Sequence, residues 1–555
     1  MASSDTATRA LPTLHEFFSP GGILARSSLP YEYRPGQLEM AKSVERAFSE
    51  RRHLIVEAGT GTGKTLAYLL PALRTGQRVI VSTGTKALQD QLYFRDIPFL
   101  ETLLGPLRVC YMKGRANYLC RHKLFALRSQ PILSGLEEID QFQQIARWEQ
   151  TTETGDRAEL SGMPESSALW NKLDARSEAC LGTTCPDYRR CFITEMRRKA
   201  LESDIIIVNH HLFFADLSVK QEAAGAPDAG VLPEAAAEIF DEAHELEEVA
   251  SSYFGLSVSN IRFEELARDT DALLRGKEGA ENLPGVTQQL RERARMFFAG
   301  LPMSGDGRQP FTSREEFLET SGDLYMGVRA TLRRLEAEMD GLKVDEAPGL
   351  KKRVARLRTE LEFLLESNSS NMVYWMERRA HTGADTKAFA ARGGPRTTYL
   401  QATPIDVSEL LSEMVFEQIP TVVLTSATLT VRGGFEHMRK RLGLGDTGQG
   451  ARELVVPSHF QYGKQALLYL PPEMPDPRDP EFPEAAAICI RRVLEITKGR
   501  AFCLFTSYAQ MRDLYERLLP VLDFPILLHG TAPRKALLEE FRATPNSVLF
   551  GTASF

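Results

Sequence analysis

Short apolar runs alternate with helical patterns along much of the chain. The first run, at 54–57, is followed by a glycine-rich turn and then by a helix-like stretch over 65–73. Helical patterns separate four further apolar runs, which lie at 78–82, 204–208, 238–240 and 421–425. Strands that alternate with helices are typical of a parallel sheet covered by helices. The pattern predicts an α/β fold whose first domain is discontinuous in sequence.

Two long insertions separate these predicted strands. The first, at 106–199, contains five of the seven cysteines. The second, at 251–395, is helix-rich. One apolar stripe in it follows the spacing of a helix face: Val354, Leu357, Leu361 and Leu364. This stripe predicts a helical hairpin or a small bundle.

The alternation of strands and helices resumes after residue 420. Predicted strands of a second α/β domain lie at 465–470, 501–505, 525–528 and 547–550. A proline-rich stretch at 471–480 predicts an extended connector within this domain.

Composition agrees with a large globular protein. The chain has 555 residues, of which 43% are hydrophobic and 25% charged, and this length predicts about three to four domains. Its 67 Lys and Arg against 74 Asp and Glu give a net charge of −7, so a polyanion would have to bind a local basic patch. No apolar run is long enough for a membrane span, and residues 1–10 are polar. We therefore expect a soluble, cytoplasmic protein without a membrane partner.

A glycine-rich loop directly follows the first predicted strand. Residues 58–65 read Ala-Gly-Thr-Gly-Thr-Gly-Lys-Thr, which matches the P-loop pattern except that Ala58 stands in place of its first glycine. In such a loop backbone N–H groups cradle phosphates, the lysine reaches the β- and γ-phosphates, and the threonine hydroxyl binds Mg²⁺. The residues predicted here to bind ATP and Mg²⁺ are Gly59, Gly61, Gly63, Lys64 and Thr65.

Two carboxylates follow the predicted strand at 238–240. The sequence Asp-Glu-Ala-His at 241–244 places Asp241 and Glu242 at the carboxyl end of a strand, where open α/β sheets bind ligands. Asp241 is predicted to hold Mg²⁺, and Glu242 to orient and deprotonate the attacking water. Together with Lys64 they form the predicted catalytic set.

Four cysteines cluster in the first insertion. Cys120, Cys180, Cys185 and Cys191 are separated by 59, 4 and 5 residues, and basic residues surround them in the sequence. Four thiolates suit an iron–sulfur cluster or tetrahedral Zn²⁺, but only the middle gap fits a zinc knuckle. The spacing therefore favours an iron–sulfur cluster and leaves zinc and unliganded thiols as alternatives.

Three motifs occur in the order found in superfamily 2 helicases. After the P-loop and the Asp-Glu-Ala-His sequence, residues 425–428 read Thr-Ser-Ala-Thr and resemble the motif that couples hydrolysis to strand movement. Residues 33–37 resemble the adenine-reading element of the same superfamily, in which Gln37 would pair with the base edge. The resemblance implies a coupling role for Thr425, Ser426, Ala427 and Thr428.

A longer resemblance covers nearly the whole chain. Residues 113–120, Lys-Gly-Arg-Ala-Asn-Tyr-Leu-Cys, and the cysteine triplet that ends at Cys191 resemble the XPD/DinG family of iron–sulfur helicases. Further matches resemble its bacterial DinG/YoaA branch, at 208–212, 232–234 and 403–407. The resemblance implies a [4Fe–4S] cluster on the four cysteines and ATP-driven 5′-to-3′ movement along single-stranded DNA.

The same resemblance implies two RecA-like P-loop motor domains. The first is interrupted by an iron–sulfur domain and by a helical Arch domain. The second is expected to be incomplete, since the sequence stops at 551–555, before the family's arginine-bearing element, and a fragment without that arginine would hydrolyse ATP weakly. The expected bounds are 1–105, 200–250 and 396–430 for the first motor domain, 106–199 for the iron–sulfur domain, 251–395 for the Arch domain and 431–555 for the second motor domain.

Movement along single-stranded DNA needs phosphate contacts and stacking aromatics. Candidates are Lys86, Arg115 and Tyr118, with core packing as the alternative for the tyrosine. We predict an ATP-dependent DNA helicase of DNA repair or replication stress that acts as a monomer on single-stranded and forked duplex DNA. Two alternatives remain open. One is a nucleotide-dependent single-strand DNA-binding module or redox sensor with weak ATPase activity, and the other is a helicase for RNA–DNA hybrids.

Overall fold

The structure, a computed structural model, divides the chain into two compact units, Met1–Phe460 and Gln461–Phe555. No helix in the described part of the chain is long and apolar enough to cross a membrane. The residues that the structure describes are 11–27, 31–129, 135–160, 163, 167–176, 180–222, 230–274, 276–340, 342, 344, 347–379, 396–445, 450–532 and 534–552.

The described residues form fourteen strands. They are β1 (Leu54–Ala58), β2 (Val79–Thr83), β3 (Val109–Tyr111), β4 (Ile205–Asn209), β5 (Ala237–Asp241), β6 (Leu256–Ser259), β7 (Gly307–Pro310), β8 (Met372–Arg379), β9 (Thr397–Pro404), β10 (Val422–Ser426), β11 (Arg452–Val456), β12 (Ala501–Phe505), β13 (Ile526–Leu528) and β14 (Val548–Thr552).

Helices connect most of these strands. The described α-helices are α1 (Leu14–Phe18), α2 (Pro35–Glu50), α3 (Lys64–Arg74), α4 (Lys86–Gln91), α5 (Ile97–Leu104), α6 (Arg121–Ser129), α7 (Leu136–Trp148), α8 (Ala168–Leu173), α9 (Phe192–Glu202), α10 (His210–Glu222), α11 (Leu246–Phe254), α12 (Asn260–Leu274), α13 (Leu283–Ala299), α14 (Arg314–Met339), α15 (Ala347–Glu366), α16 (Ser408–Leu411), α17 (Glu436–Leu442), α18 (Tyr462–Gln465), α19 (Phe482–Thr497), α20 (Tyr508–Leu518) and α21 (Arg534–Ala543).

A seven-stranded parallel sheet forms the centre of the first unit, in the order β11-β1-β10-β5-β2-β4-β3. Strands β2, β4, β5 and β10 are buried along their whole length, because helices cover both faces of such a sheet. All five apolar runs predicted for the first domain are strands of this sheet. The predicted α/β fold with a parallel sheet is confirmed.

Two strands of this sheet were not predicted. Strand β3 has only three residues, and β11 begins with two charged residues, so neither shows a long apolar run. Strand β11 pairs with β1 along its whole length, from Leu54 opposite Arg452 to Ala58 opposite Val456. The first compact unit therefore extends to Phe460, beyond residue 430, the predicted end of the first motor domain.

A sheet accompanies the predicted helices of the second insertion, and its strand β9 begins just after residue 395, the predicted end of that insertion. Strands β6, β9, β8 and β7 form a four-stranded antiparallel sheet in that order. Residues Met376 and Leu400 of this sheet share a core with the stripe of α15 that includes Val354. Leu256 of β6 lies opposite Ala402 of β9, and a pairing over this sequence distance leaves no local pattern that predicts it.

The second unit contains a three-stranded parallel sheet in the order β12-β14-β13. These strands match three of the four runs predicted for the second domain. The predicted strand at 465–470 is wrong, because α18 ends at Gln465 and the next residues form no strand. Leu467 and Leu468 are 95% and 81% exposed, so this apolar run lacks a neighbouring strand within the described residues. Of residues 551–555, where the sequence stops before the arginine-bearing element, the last three, 553–555, lie outside the described residues.

Candidate functional site

The loop between β1 and α3 requires glycine at several positions. Gly61 and Gly63 have φ angles of 81° and 82°, in the left-handed region that favours glycine. A Cβ at Gly59 would meet the backbone of Ser458 at 2.8 Å, and one at Gly61 would meet the Phe460 ring at 2.5 Å. The segment therefore forms the tight turn between a strand and a helix N-terminus that binds phosphate in P-loop proteins.

Gln37 supports this loop from α2. Its side chain is 5% exposed, and Nε2 donates to the carbonyl oxygen of Gly63 at 3.0 Å. A Cβ on Gly63 would collide with the same amide. The structure thus brings Gln37 to the phosphate loop, while its pairing with a base stays a prediction.

Asp241 ends β5 at the same edge of the sheet. Its Oδ2 accepts a hydrogen bond from the hydroxyl of Tyr68 at 3.0 Å, and its Oδ1 accepts one from the N–H of Glu242 at 3.0 Å. Burial raises the pKa of Asp241 to about 6, and the neighbouring charge of Glu242 adds to this effect. A carboxyl group whose oxygen atoms are fixed in this way suits Mg²⁺, whose charge favours the ionised form.

Glu242 lies between the phosphate loop and β10. Its backbone has φ 58° and ψ 45°, a left-handed conformation that is uncommon for a residue other than glycine. Lys64 Nζ is 3.4 Å from Oε1, and Ser426 Oγ donates to Oε2 at 3.1 Å. His244 Nδ1 lies 2.8 Å from the same Ser426 oxygen. Unusual backbone conformations of this kind concentrate at functional sites.

The residues expected to couple hydrolysis to movement are the last two of β10 and the first two of the loop after it. Thr425 lies opposite Asp241 in the pairing of β10 with β5, and both Thr425 and Ser426 are fully buried. Ser426 is the member of this set that contacts Glu242. The remaining two, in the loop after β10, are Ala427 and Thr428.

Two polar residues near this edge are not among the predicted site residues. His210, at the start of α10, is fully buried, and its Nδ1 lies 2.7 Å from the Ser82 hydroxyl. Burial lowers the pKa of His210 to about 3, so its imidazole is neutral at pH 7. Glu57, in β1, accepts hydrogen bonds from Leu429 and Thr430. The one signal for Glu57 in the sequence is a charged residue inside an otherwise apolar strand.

The four clustered cysteines surround one region of the first insertion. Cys120 precedes α6, Cys191 precedes α9, and the loop before α9 contains Cys180 and Cys185. Burial raises the pKa of Cys120, and the nearby Cys191 and Cys180 raise it further. Burial also raises the pKa of Cys185, to which the same two neighbours contribute. Two cysteines that lie close to the same two neighbouring cysteines fit a four-thiolate ligand set.

Other groups adjoin this set. One ligand atom each from His122, Cys185 and Asp187 lie within 4.8 Å of one another. Burial opposes ionisation of Cys180, but a hydrogen bond from a backbone N–H and the charge of Arg115 outweigh burial, so the pKa of Cys180 is lowered. A hydrogen bond and a positive charge that favour the thiolate form of Cys180 fit a thiolate-bound metal centre. The remaining three cysteines lie in β3, α19 and β12 and are Cys110, Cys489 and Cys503.

The three residues predicted to contact DNA lie in different environments. Lys86 Nζ donates to Asn117 Oδ1 at 3.3 Å near the surface, and Arg115 Nε donates to a backbone carbonyl oxygen at 2.9 Å. Tyr118 is 3% exposed, and its hydroxyl accepts a hydrogen bond from a backbone N–H. The structure therefore supports core packing for Tyr118, whose buried ring has no face available for a base.

Two family models match the chain. Residues 34–148 match the model described as DEAD/DEAH box helicase, and residues 490–555 match the one described as Helicase C-terminal domain. The first match contains the phosphate loop at the edge of the parallel sheet. Fold, site and family matches together define a helicase with a P-loop motor.

Individual relatives resemble the chain over nearly its whole length. The ATP-dependent DNA helicase YoaA of Haemophilus influenzae is 33% identical over 549 residues, which cover 97% of this chain and 81% of the relative. The ATP-dependent helicase DinG of Mycobacterium tuberculosis is 31% identical over 561 residues, which cover 96% and 80%. Among solved structures, Xpd4 of S. tokodaii has a TM-score of 0.47 at 15% identity and covers 94% of this chain and 81% of its own. The chain belongs to the DinG/YoaA family of ATP-dependent DNA helicases, as its sequence predicted.

Proposed function

We propose that this chain couples ATP hydrolysis to 5′-to-3′ movement along single-stranded DNA and separates duplex DNA as it moves. The observation that carries the proposal is the meeting of Lys64, Asp241 and Glu242 at one edge of a parallel sheet, with Ser426 bonded to Glu242. Such an edge binds ligands in open α/β folds. Membership of the DinG/YoaA family supports DNA as the substrate.

The proposed roles at the nucleotide site follow from chemistry. Lys64 contacts the β- and γ-phosphates, Thr65 and Asp241 hold Mg²⁺, and Glu242 deprotonates the attacking water. Because Lys64 pairs with Glu242 at 3.4 Å, its transfer to phosphate oxygens leaves the carboxylate free to accept a proton. The remaining proposed ATP contacts are Gln37, Gly59, Gly61 and Gly63.

The proposed domain organisation is that of two motor domains with two insertions in the first. The pairing of β11 with β1 supports an extension of the first motor domain to residue 460. Strand β9 shares the antiparallel sheet and the core of the second insertion, which supports an extension of the Arch domain to residue 404. The proposed bounds are then 1–105, 200–250 and 405–460 for the first motor domain, 106–199 for the iron–sulfur domain, 251–404 for the Arch domain and 461–555 for the second motor domain.

Cys120, Cys180, Cys185 and Cys191 are proposed to hold a [4Fe–4S] cluster. The support is that Cys180 and Cys191 lie near enough to both Cys120 and Cys185 to raise the pKa of each. When bound, such a cluster supplies a cross-link among chain segments and a one-electron redox centre. The protein's own contribution is to bring the starts of α6 and α9 and the loop between them to one place.

Lys86 and Arg115 are proposed to contact DNA phosphates. The hydrogen bond from Lys86 to Asn117 brings this lysine to the short segment that contains Arg115. Contacts of this type bind the backbone without reading bases, so we propose single-stranded and forked duplex DNA as substrates without sequence preference. A monomer that acts in the cytoplasm, in DNA repair or replication stress, completes the proposal and rests on the family resemblance.

The test is ATP-dependent unwinding by the full chain purified without oxygen. Duplexes with a 5′ or a 3′ single-stranded tail are compared, and strand separation is expected only with the 5′ tail. Lys64→Ala should lower ATP hydrolysis by about 100-fold or more, whereas Lys42→Ala, an exposed lysine of α2, should leave it unchanged.

Three other outcomes would contradict part of this proposal. Unwinding from the 3′ tail contradicts the proposed direction. Nucleotide-dependent binding of single-stranded DNA without strand separation identifies a binding module instead of a helicase. Faster unwinding of a matched RNA–DNA hybrid than of the DNA duplex changes the proposed substrate.

A further inference from the structure

The carboxylate of Glu57 binds the segment that follows β10. Oε2 accepts hydrogen bonds from the backbone N–H groups of Leu429 and Thr430, both at 2.6 Å, and Oε1 accepts one from the Thr430 hydroxyl at 3.0 Å. One side chain thus satisfies three donors from two consecutive residues. Burial opposes ionisation of Glu57, but these hydrogen bonds outweigh burial, so the pKa of Glu57 is lowered and the group is an anion at pH 7.

Glu57 is also next to the phosphate loop. It is the fourth of the five residues of β1, and the loop begins directly after this strand. Any shift of the loop relative to the sheet therefore acts on Glu57 through one intervening residue, Ala58. Within the described residues, the Glu57 side chain forms no hydrogen bond other than these three.

The segment bound by Glu57 is held from a second direction. Ser426 lies opposite Glu57 in the pairing of β1 with β10, and its hydroxyl donates to Glu242 at 3.1 Å. Residues 425–430 are thus attached at one end to the carboxylate proposed to activate water. At the other end they are attached to the strand that carries the phosphate loop. Strand β10 itself pairs with both β1 and β5, so the Glu57 carboxylate adds an attachment for Leu429 and Thr430, which lie beyond the end of that strand.

We propose that Glu57 is a positioning residue that ties the phosphate-loop strand to residues 425–430, so that nucleotide-dependent changes at the loop reach the segment expected to couple hydrolysis to movement. This inference rests on the proposed function only for the step from hydrolysis to movement along DNA. The physical link itself is a set of three hydrogen bonds, which can be measured without any helicase assay.

Two substitutions separate the carboxylate's hydrogen bonds from its charge. Glu57→Ala removes the acceptor for two backbone N–H groups, and an unsatisfied donor of this kind is costly. Glu57→Gln keeps one oxygen for the backbone donors and offers an N–H to the Thr430 hydroxyl. Thr430→Val removes only the hydroxyl and leaves both backbone donors in place. Glu39→Ala, at an exposed position of α2, is the matched control for loss of a carboxylate.

The first readout is amide hydrogen exchange of residues 425–432 in the full chain, with and without a non-hydrolysable ATP analogue and Mg²⁺. In the wild-type chain we expect the analogue to increase protection of this segment. In Glu57→Ala we expect exchange at Leu429 and Thr430 to accelerate about tenfold or more and the response to the analogue to disappear. Glu57→Gln should restore the response, and Glu39→Ala should match the wild type.

The second readout is the number of base pairs unwound per ATP hydrolysed, together with the affinity for the ATP analogue. Glu57→Ala should bind the analogue within about threefold of the wild type, yet unwind about tenfold fewer base pairs per ATP. Thr430→Val should show a smaller loss of the same kind. A merely structural role would lower binding, hydrolysis and unwinding together, in proportion to the folded fraction.

The outcomes distinguish failure of this inference from failure of the proposed function. Unchanged exchange at Leu429 and Thr430 in Glu57→Ala, or a retained response to the analogue, overturns the link. Loss of analogue binding in Glu57→Ala also overturns it, because Glu57 would then act on the phosphate loop itself. A wild-type chain that shows the exchange response but no unwinding retains the link and rejects the helicase function.

Discussion

Lys64 Nζ lies 3.4 Å from Oε1 of Glu242. The lysine belongs to the phosphate loop, and the carboxylate follows β5, so one ion pair joins the group proposed to hold phosphate to the group proposed to activate water. Ser426 donates to the other oxygen of the same carboxylate. Substitutions at this point should therefore separate nucleotide binding from hydrolysis.

Glu242→Gln should preserve binding and abolish hydrolysis. The amide keeps an oxygen for the Ser426 hydroxyl but cannot accept a proton from water, so we expect ATP affinity within about threefold of the wild type and hydrolysis slowed about 1000-fold. Binding of a fluorescent ATP analogue and single-turnover hydrolysis measure the two effects. Glu248→Gln, at an exposed position of α11, is the control. Hydrolysis near the wild-type rate in Glu242→Gln would assign the base to another residue.

Tyr68→Phe should weaken the use of Mg²⁺. The buried Tyr68 hydroxyl donates to Asp241 at 3.0 Å and orients the carboxylate, so its removal should raise the Mg²⁺ concentration for half-maximal hydrolysis about tenfold. The free energy of unfolding should fall by about 1 kcal/mol. Tyr93→Phe, a half-buried tyrosine of the same unit, should change the Mg²⁺ requirement little. An unchanged requirement in Tyr68→Phe contradicts the role of Asp241 as a Mg²⁺ ligand that Tyr68 orients.

His210 should make stability depend on pH. Its pKa is lowered to about 3 in the folded chain, against about 6.5 in an unfolded one. Between these values the unfolded state binds a proton that the folded state does not, so the free energy of unfolding falls as the pH is lowered. The contribution approaches about 1.4 kcal/mol per pH unit.

The comparison for this prediction is urea unfolding of the wild type and His210→Gln between about pH 4 and pH 6. The variant should show a shallower decrease toward low pH, because glutamine does not titrate. His437→Gln, at an exposed position of α17, should keep the wild-type slope. Equal slopes in the wild type and in His210→Gln would show that the buried imidazole does not resist protonation.

Cys185→Ser should remove bound iron from the full chain purified without oxygen. A chain with a [4Fe–4S] cluster contains about four irons, and the loss of one of its four thiolates should lower the iron content and bleach the visible absorption. Cys489→Ser, at a half-buried cysteine of the second unit, should retain both. Zinc in place of iron in the wild type would select the alternative that the spacing left open.

The phosphate loop and Asp241 could be found in the sequence because their signals are local. A glycine-rich turn between an apolar strand and a helix, or a carboxylate after an apolar strand, occupies a short window. Glu57 could not be found in this way, because its hydrogen-bond partners lie 372 and 373 residues away. At 465–470 the sequence predicted a strand that the structure does not contain. An apolar run alone does not show whether a neighbouring strand is available for pairing.

The antiparallel sheet of the second insertion illustrates the same limit. Its outer strand β6 pairs with β9, and four or eight residues with mixed polarity do not reveal a partner so distant in sequence. Burial also decided the outcome for Tyr118, whose ring the sequence allowed either to stack on DNA or to pack in the core. The choice depends on neighbours that only the folded chain assembles.

The position of β10 between β1 and β5 has a consequence for synthesis on the ribosome. Strand β1 pairs with β10 and β11 and with no other described strand, and both emerge only after the two insertions have been made. Domains fold as units from the N-terminal side during synthesis, and pairing over long sequence distances is slow. The insertions can therefore bury their own cores while β1 still lacks both neighbours. A nascent chain at this stage presents open strand edges, which are templates for aggregation, so this is the period of synthesis in which chaperone protection matters most.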